Sequence, residues 1–127
     1  MILARIVCLL PGLMLLPSGI GWLLNPAETS IRFGFIFNDL SLAAQNALIR
    51  DLTAFFLLVP ILCLISAITL NYVWVFCVSI LFFIVVLAHI VAATSHGTGF
   101  IMQMFLPEVA ILILSLVGAY LIAKQKS

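Results

Sequence analysis

The sequence predicts an all-α fold, a four-helix antiparallel transmembrane bundle, and its composition carries most of the argument. Of the 127 residues, 66% are hydrophobic and only 7% are charged, whereas soluble domains are about half apolar and about a quarter charged. The mean hydropathy of +1.42 leads to the same conclusion, because apolar runs of this length are satisfied in lipid. A chain of this size has room for one integral membrane domain, 1–127, with about four spans of roughly 20 residues each.

The first predicted span is 6–24, and it contains helix-breaking residues. Pro11 and Pro17 each remove a backbone donor, so we expect this helix to be kinked or broken. Membrane helices tolerate such residues because neighbouring helices satisfy the freed carbonyl groups. The span follows Arg5 as a signal peptide would, but no small-residue cleavage site follows the apolar run. We therefore predict a retained first helix.

The connection after the first span, 27–38, is polar and aromatic, with alternating Phe33, Phe35 and Phe37, and it predicts an interfacial loop between helices 1 and 2. The remaining predicted spans are 47–70, 73–93 and 106–123. Because the turn between the second and third spans is very short, those two helices are expected to be antiparallel neighbours. Pro107 is expected in the first turn of the fourth helix, where its missing N–H costs least.

The distribution of basic residues predicts an orientation. An even number of spans puts both termini on one side of the membrane, and the two sides differ in their basic residues: Arg5, Lys124 and Lys126 against Arg32 and Arg50. Because basic residues favour the cytoplasmic side, we expect both termini to be cytoplasmic. The net charge of +1 provides no basic surface for nucleic acid, so the predicted surroundings are the lipid bilayer.

Several ionisable residues lie at one predicted depth near the non-cytoplasmic side. Arg50 and Asp51 lie at the entrance of the second helix, and His89 lies about one turn inside the third. Glu108 is expected to open the fourth helix, and His96 lies in the loop before it. Because intramembrane charges usually face the bundle interior in pairs, we expect an Arg50–Glu108 pair with His89 nearby. These five residues are the candidate ligand-binding residues, and we call them the polar mouth.

Two interpretations of the polar mouth follow from its residues. As a binding site, imidazole and carboxylate exchange a proton while Arg50 holds an anion or a lipid headgroup. As a structural clasp, the same residues lock the second, third and fourth helices together. A metal site of His89, His96 and Glu108 is disfavoured, because the two histidines are about 10 Å apart along a continuous helix. Haem ligation by His89 lacks a second axial histidine, so no metal and no cofactor is predicted.

Several short sequence fragments, spread over almost the whole chain, together form a recognisable pattern. The first helix ends in Leu-Leu-Asn-Pro, within Gly21–Pro26, and a loop containing Gly34 follows. The second helix starts with Arg-Asp-Leu-x-x-Phe-Phe-Leu, at Arg50–Leu57. A polar residue then precedes a short glycine loop, at His89–Gly99, and Glu108 comes after it. Together they resemble an uncharacterised family of small bacterial four-helix membrane proteins, DoxX-like in layout. The resemblance implies a bacterial inner-membrane location and this architecture, without an established activity.

No catalytic motif is recognisable in the sequence. Ser95 and His96 are adjacent, but neither an acid nor a GxSxG motif accompanies them. The stretch Ala44–Leu48 resembles part of the glutathione-dependent membrane transferases, but it lacks their glutamate and arginines. We therefore expect a non-enzymatic membrane protein, an accessory or structural subunit of a larger membrane assembly or a homo-oligomer. The alternative is a binder of a lipid, quinone or other amphiphile at the polar mouth.

Overall fold

The computed structural model describes residues 1–125, which are helical along most of their length. This part of the chain contains five α-helices and one short 3-10 helix: α1 (Ile2–Leu24), α2 (Pro26–Arg32), the 3-10 helix (Phe37–Asp39), α3 (Leu42–Thr69), α4 (Tyr72–Ser95) and α5 (Met102–Gln125). Four of them, α1, α3, α4 and α5, are long and apolar enough to cross a membrane. The predictions of an all-α fold and of four membrane-spanning helices are confirmed. Lys126, which the orientation argument uses, lies outside the described residues.

Helix α5 begins one turn earlier than its predicted span of 106–123. The carbonyl of Ile101 accepts the N–H of Met104 at 2.9 Å, so helical hydrogen bonding is already under way before the proline. Pro107 therefore lies inside the helix, and the prediction that it occupies the first turn is wrong. Glu108 accordingly lies in the second turn of α5 and does not open it.

Helix α1 is continuous past Pro11 and Pro17, so neither proline ends it. Helix α5 approaches the first half of α1 closely, at Cys8. A Cβ atom added at Gly118 of α5 would lie 3.2 Å from the Cα atom of Cys8. The two backbones are therefore in near contact, which is the usual role of a small residue between membrane helices.

Contacts between Cα atoms divide the chain into two compact units. The first unit comprises Met1–Pro11 and the chain from Leu62 onward, and the second unit is Gly12–Ile61. In the first unit α4 packs along α5. The buried residues of both helices recur at spacings of three and four, the pattern of one helix face: Val75, Val78, Ser79 and Phe82 on α4, and Ile111, Ser115, Gly118, Ala119 and Ile122 on α5.

In the second unit the end of α1 packs closely against α3. Gly19 has no side chain, and a Cβ atom built there would lie 2.5 Å from the Leu57 side chain. Trp22 is fully buried, and its ring centroid lies 5.5 Å from that of Phe33. Phe33 in turn lies 5.6 Å from Phe56 of α3. The core of this unit is therefore made of a glycine contact and a chain of aromatic rings.

The connection between α1 and α3 contains α2 and the 3-10 helix, both too short to span a membrane. Pro26 begins α2, where its restricted φ suits the first helical position. The side-chain amide of Gln45 donates to the carbonyl of Phe37 at 3.1 Å, which ties the 3-10 helix to α3. Ser41 Oγ accepts the N–H of Ala44 at 3.1 Å, and this bond caps the start of α3.

Two residues, Leu70 and Asn71, join α3 to α4. Leu70 has a left-handed φ of 53°, the conformation that commonly follows a helix end. The side chain of Asn71 accepts the N–H of Val73 at 3.1 Å and so caps α4. Ser66 Oγ donates to the Asn71 carbonyl at 2.6 Å. The chain therefore reverses within a turn that is hydrogen-bonded on both sides.

Candidate functional site

A histidine of α4 and a glutamate of α5 form a hydrogen-bonded pair that links the two helices. His89 Nδ1 lies 2.9 Å from Glu108 Oε2, and the two side chains are only 10% and 20% exposed. Their close approach follows from the packing of α4 along α5, since the two residues are far apart in sequence. Within the first unit, the structure thus brings together two of the five residues of the polar mouth.

The second nitrogen of the His89 ring is also occupied. The backbone N–H of Ile101 donates to His89 Nε2 at 3.2 Å. A ring nitrogen that accepts a hydrogen bond carries no proton, so the proton of the neutral imidazole lies on Nδ1. Nδ1–H then donates to the Glu108 carboxylate, which fits the ionised form of that side chain. We call His89, Glu108 and the Ile101 amide the His89 clasp.

Two phenylalanine rings cover the imidazole of the His89 clasp. Phe100 is stacked on His89 with 6.0 Å between ring centroids and 14° between ring planes. Phe105 meets the imidazole at 4.9 Å with an interplanar angle of 64°. The role of Phe105 was missed by the sequence analysis, although its spacing of three residues from Glu108 puts both on one face of α5. The rings leave the imidazole little contact with solvent.

A tight connection returns the chain from the end of α4 to the His89 clasp. Gly97 and Gly99 have left-handed φ values of 72° and 70°, which glycine adopts at no steric cost. The N–H of Thr98 donates to the carbonyl of Ala92 at 3.2 Å, so the connection folds back along α4. This fold brings the Ile101 amide to Nε2 of the imidazole. His96 ends α4 as its C-terminal cap and is exposed.

The remaining two residues of the polar mouth belong to the second unit, where they bond locally. Arg50 Nε donates to Asp51 Oδ1 at 3.0 Å, and both side chains are about two-thirds exposed. A second nitrogen of Arg50 donates to Asn46 Oδ1 at 2.8 Å, one turn earlier on α3. The Arg50–Glu108 pair that the sequence analysis expects stays a prediction.

The nitrogen atoms of His89 bear directly on metal and haem ligation. Both are engaged, so ligation would require the Glu108 bond or the Ile101 bond to break. Within residues 1–125, no group of three or more His, Cys, Asp and Glu residues is placed to hold a metal ion. Two of the three cysteines are buried and one is exposed: Cys8, Cys63 and Cys77.

Two open grooves lie away from the His89 clasp. The larger, about 460 Å³, is on α4 and α5 and has an apolar lining except for one serine whose hydroxyl bonds to α5: Phe76, Ser79, Ile80, Phe83, Leu112 and Leu116. The smaller, about 290 Å³, lies beside α2 and the 3-10 helix and includes one carboxylate: Ala27, Glu28, Ile31, Ile36, Phe37 and Asn38. The first groove offers contact to an acyl chain or to an apolar helix, and it offers no charge to orient a polar ligand.

Comparison of the chain with models of known protein families finds no match. No curated protein matches it. No solved structure matches it either. The residues and their geometry are therefore the basis for a functional assignment, and the membrane-spanning helices define its setting.

Proposed function

We propose that this chain is a non-enzymatic integral membrane protein that acts by packing against other membrane-embedded helices, as an accessory or structural subunit of a membrane assembly or as a homo-oligomer. The observation that carries the proposal is the closure of the His89 clasp. His89 and Glu108 are mostly buried and bond to each other, and each ring nitrogen of His89 already has a partner. A pair in this state stabilises helix packing, and it leaves neither ring nitrogen of His89 free for a substrate.

The outward surface of α4 supports packing against a partner. It is the most hydrophobic of the four spanning helices, with a mean hydropathy of 2.9, and only 22% of that window is buried within the chain. Large side chains lie on the exposed surface, among them Trp74, Phe76 and Phe83. Aromatic residues provide large contact areas at low entropic cost. A second membrane helix would therefore find a broad apolar contact surface on α4.

The proposal includes a location and an orientation. The resemblance to an uncharacterised family of small bacterial four-helix membrane proteins, DoxX-like in layout, supports a bacterial inner membrane. Arg5 and Lys124, close to the two chain ends, support cytoplasmic termini by the positive-inside rule. Reporter fusions test this orientation: a cytoplasm-active reporter is expected to work at the C-terminus and to fail when inserted after Gly99. The reverse pattern would rule the orientation out.

The experiment that tests the assembly is native mass spectrometry of the tagged chain, extracted gently from its own membrane. We expect the chain to appear with stoichiometric partner chains or as a defined homo-oligomer. A monomer under all extraction conditions contradicts the proposal. A Phe83→Ala variant is expected to weaken the complex, because Phe83 is 55% exposed on α4. Leu13→Ala, at a 61% exposed position of α1, is the matched control and is expected to leave the complex intact.

The alternative function is binding of a lipid, quinone or other amphiphile, and the 460 Å³ groove on α4 and α5 favours it. Its lining suits an acyl or isoprenoid chain. The same mass spectra test it, because a retained ligand adds a defined mass to the monomer. Ile80→Trp fills the groove, and it is expected to remove that mass if the groove is the binding site. A ligand retained equally by Ile80→Trp would exclude the groove.

A further inference from the structure

We propose that the His89 clasp is a proton-operated latch on the connection between α4 and α5. Uptake of a second proton by His89 breaks its hydrogen bond to the Ile101 amide and releases the connection, while the bond to Glu108 is kept. This inference goes beyond the proposed function and does not depend on it, since it concerns the connection within one chain.

The latch follows from the donors and acceptors around the ring. Nε2 accepts the N–H of Ile101 through its lone pair, and a second proton would occupy that lone pair. An imidazolium has two N–H donors and no acceptor, so two donors would face each other across 3.2 Å. The proton comes from hydronium, which loses it and becomes water, and no covalent bond of the protein breaks. The Ile101 N–H then takes water as its acceptor, because Ile101 is exposed.

The opposite side of the ring responds in the other direction. Nδ1–H remains a donor to Glu108, and the pair becomes an ion pair when the imidazole is cationic. Phe105, which also belongs to α5, packs against the ring with 4.9 Å between ring centroids. Protonation therefore holds His89 in place on α5 and weakens only its contact with the Ile101 backbone.

The charged groups around His89 are few. Glu108 is the charged side chain of α5 that contacts it, and the contacts from the connection are the Ile101 amide and the Phe100 ring. On α4 itself, the positions one turn away are valine and alanine. His96 lies two turns further along and is exposed. His89 is therefore the group whose protonation acts directly on the Ile101 bond.

The connection is built to move when the bond is released. Gly97 and Gly99 both have left-handed φ values, and a Cβ atom placed at either would have no neighbour within 4 Å. The space beside each of the two glycines is therefore open, and no side chain packs there. Ile101 also accepts the N–H groups of Met104 and Phe105, so its release is transmitted to the first turn of α5.

Nuclear magnetic resonance of the full-length, ¹⁵N-labelled chain in lipid nanodiscs tests the latch between pH 7.5 and pH 4.5. We expect the Ile101 amide proton to shift upfield with the same midpoint as the His89 ring nitrogens. Its protection from hydrogen exchange is expected to fall about tenfold, the loss of one local hydrogen bond. The Ala44 amide, bonded to Ser41 at 3.1 Å, is the control and is expected to keep its protection.

Two variants complete the test. His96→Gln is expected to retain the transition at Ile101, and His89→Phe is expected to abolish it. A transition that persists in His89→Phe overturns the latch. So does a wild-type Ile101 amide that stays protected while the His89 ring titrates, or a ring that takes up no proton in this range. The wild-type result decides the question even if His89→Phe does not fold.

Discussion

The two compact units of the chain hold their helices together by different means. In the first unit, side-chain hydrogen bonds cross between helices: Arg5 to the Ala67 carbonyl, Ser79 to Ser115, and His89 to Glu108. In the second unit, Gln45 ties the 3-10 helix to α3, and the contacts of α1 with α3 are a glycine approach and a chain of aromatic rings: Gly19 at Leu57, and Trp22 with Phe33 and Phe56. Its ion pair, Arg50–Asp51, joins adjacent residues of one helix.

The difference shows that an ionisable residue near a helix end has two ways to be satisfied. Arg50 and Asp51 are about two-thirds exposed, so they can bond locally and remain hydrated. His89 and Glu108 are mostly buried, and each needs a fixed partner because an unpaired polar group in that position is costly. Buried polar groups therefore link helices, whereas exposed ones leave that task to small residues and rings.

The largest expected effect comes from filling the glycine contact of the second unit. Gly19→Leu is expected to lower the free energy of unfolding by about 2–3 kcal/mol, because even a Cβ atom there would lie 2.5 Å from the Leu57 side chain and 3.2 Å from the Phe56 backbone. Steric trapping in bicelles measures this quantity. Ile20→Leu, at the next and exposed position, is the control. Equal stability of the two variants would show that the glycine contact is dispensable.

Removing the carboxylate of the first unit is expected to have the next largest effect. Glu108→Ala leaves the His89 Nδ1–H without an acceptor in a mostly buried position, and we expect a loss of about 1–2 kcal/mol in the free energy of unfolding. Glu108→Gln keeps an accepting oxygen and is expected to lose less than half as much. The same unfolding measurement distinguishes them. If the alanine variant proved as stable as wild type, the His89 clasp would have no structural role.

A smaller effect is expected from the serine pair in the middle of α4 and α5. Ser79 donates to Ser115 at 2.9 Å, and Ser115 donates on to the Leu112 carbonyl at 2.9 Å. A double-mutant cycle of Ser79→Ala and Ser115→Ala is expected to give a coupling free energy of about 0.6 kcal/mol, typical of hydrogen bonds between membrane helices. Strictly additive effects would mean that this bond contributes nothing.

The smallest effect is expected at the exposed ion pair of the second unit. Arg50→Gln should change the free energy of unfolding by less than about 0.5 kcal/mol, because exposed pairs on one helix are weak. Measured at low and high salt, the change is expected to shrink further as ions screen the pair. A loss as large as that of Glu108→Ala would instead reveal a partner for Arg50 beyond Asp51 and Asn46, such as the predicted bond to Glu108.

The spanning helices were predictable from sequence, whereas their ends were not. Long apolar runs identify a span without any knowledge of neighbours. The start of α5 depends instead on the Ile101 carbonyl, which accepts helical bonds before Pro107 is reached. Hydropathy does not detect such a bond. A span predicted from hydropathy therefore begins later than α5 does and puts Pro107 in its first turn.

The depth of the candidate site residues along their helices was predictable from sequence, but which of these residues contact each other was not. Counting residues from the helix ends places His89 and Glu108 at similar depth, and the structure brings them into contact. Which charged residue meets which depends on how each helix is rotated about its axis, and a polar residue alone does not specify that rotation. The hydrogen bond from Arg50 to Asn46 could have been predicted from sequence, because a spacing of four residues brings side chains together on one helix.

The two-residue turn at Leu70 and Asn71 has a consequence for how the protein is made. With so little chain between α3 and α4, an α3 that already spans the bilayer would hold the start of the apolar α4 at the membrane surface. We therefore expect the two to enter the membrane as one hairpin after both have left the ribosome. The helices of this chain would then not enter the membrane one by one, because α3 and α4 would be inserted together in a single step.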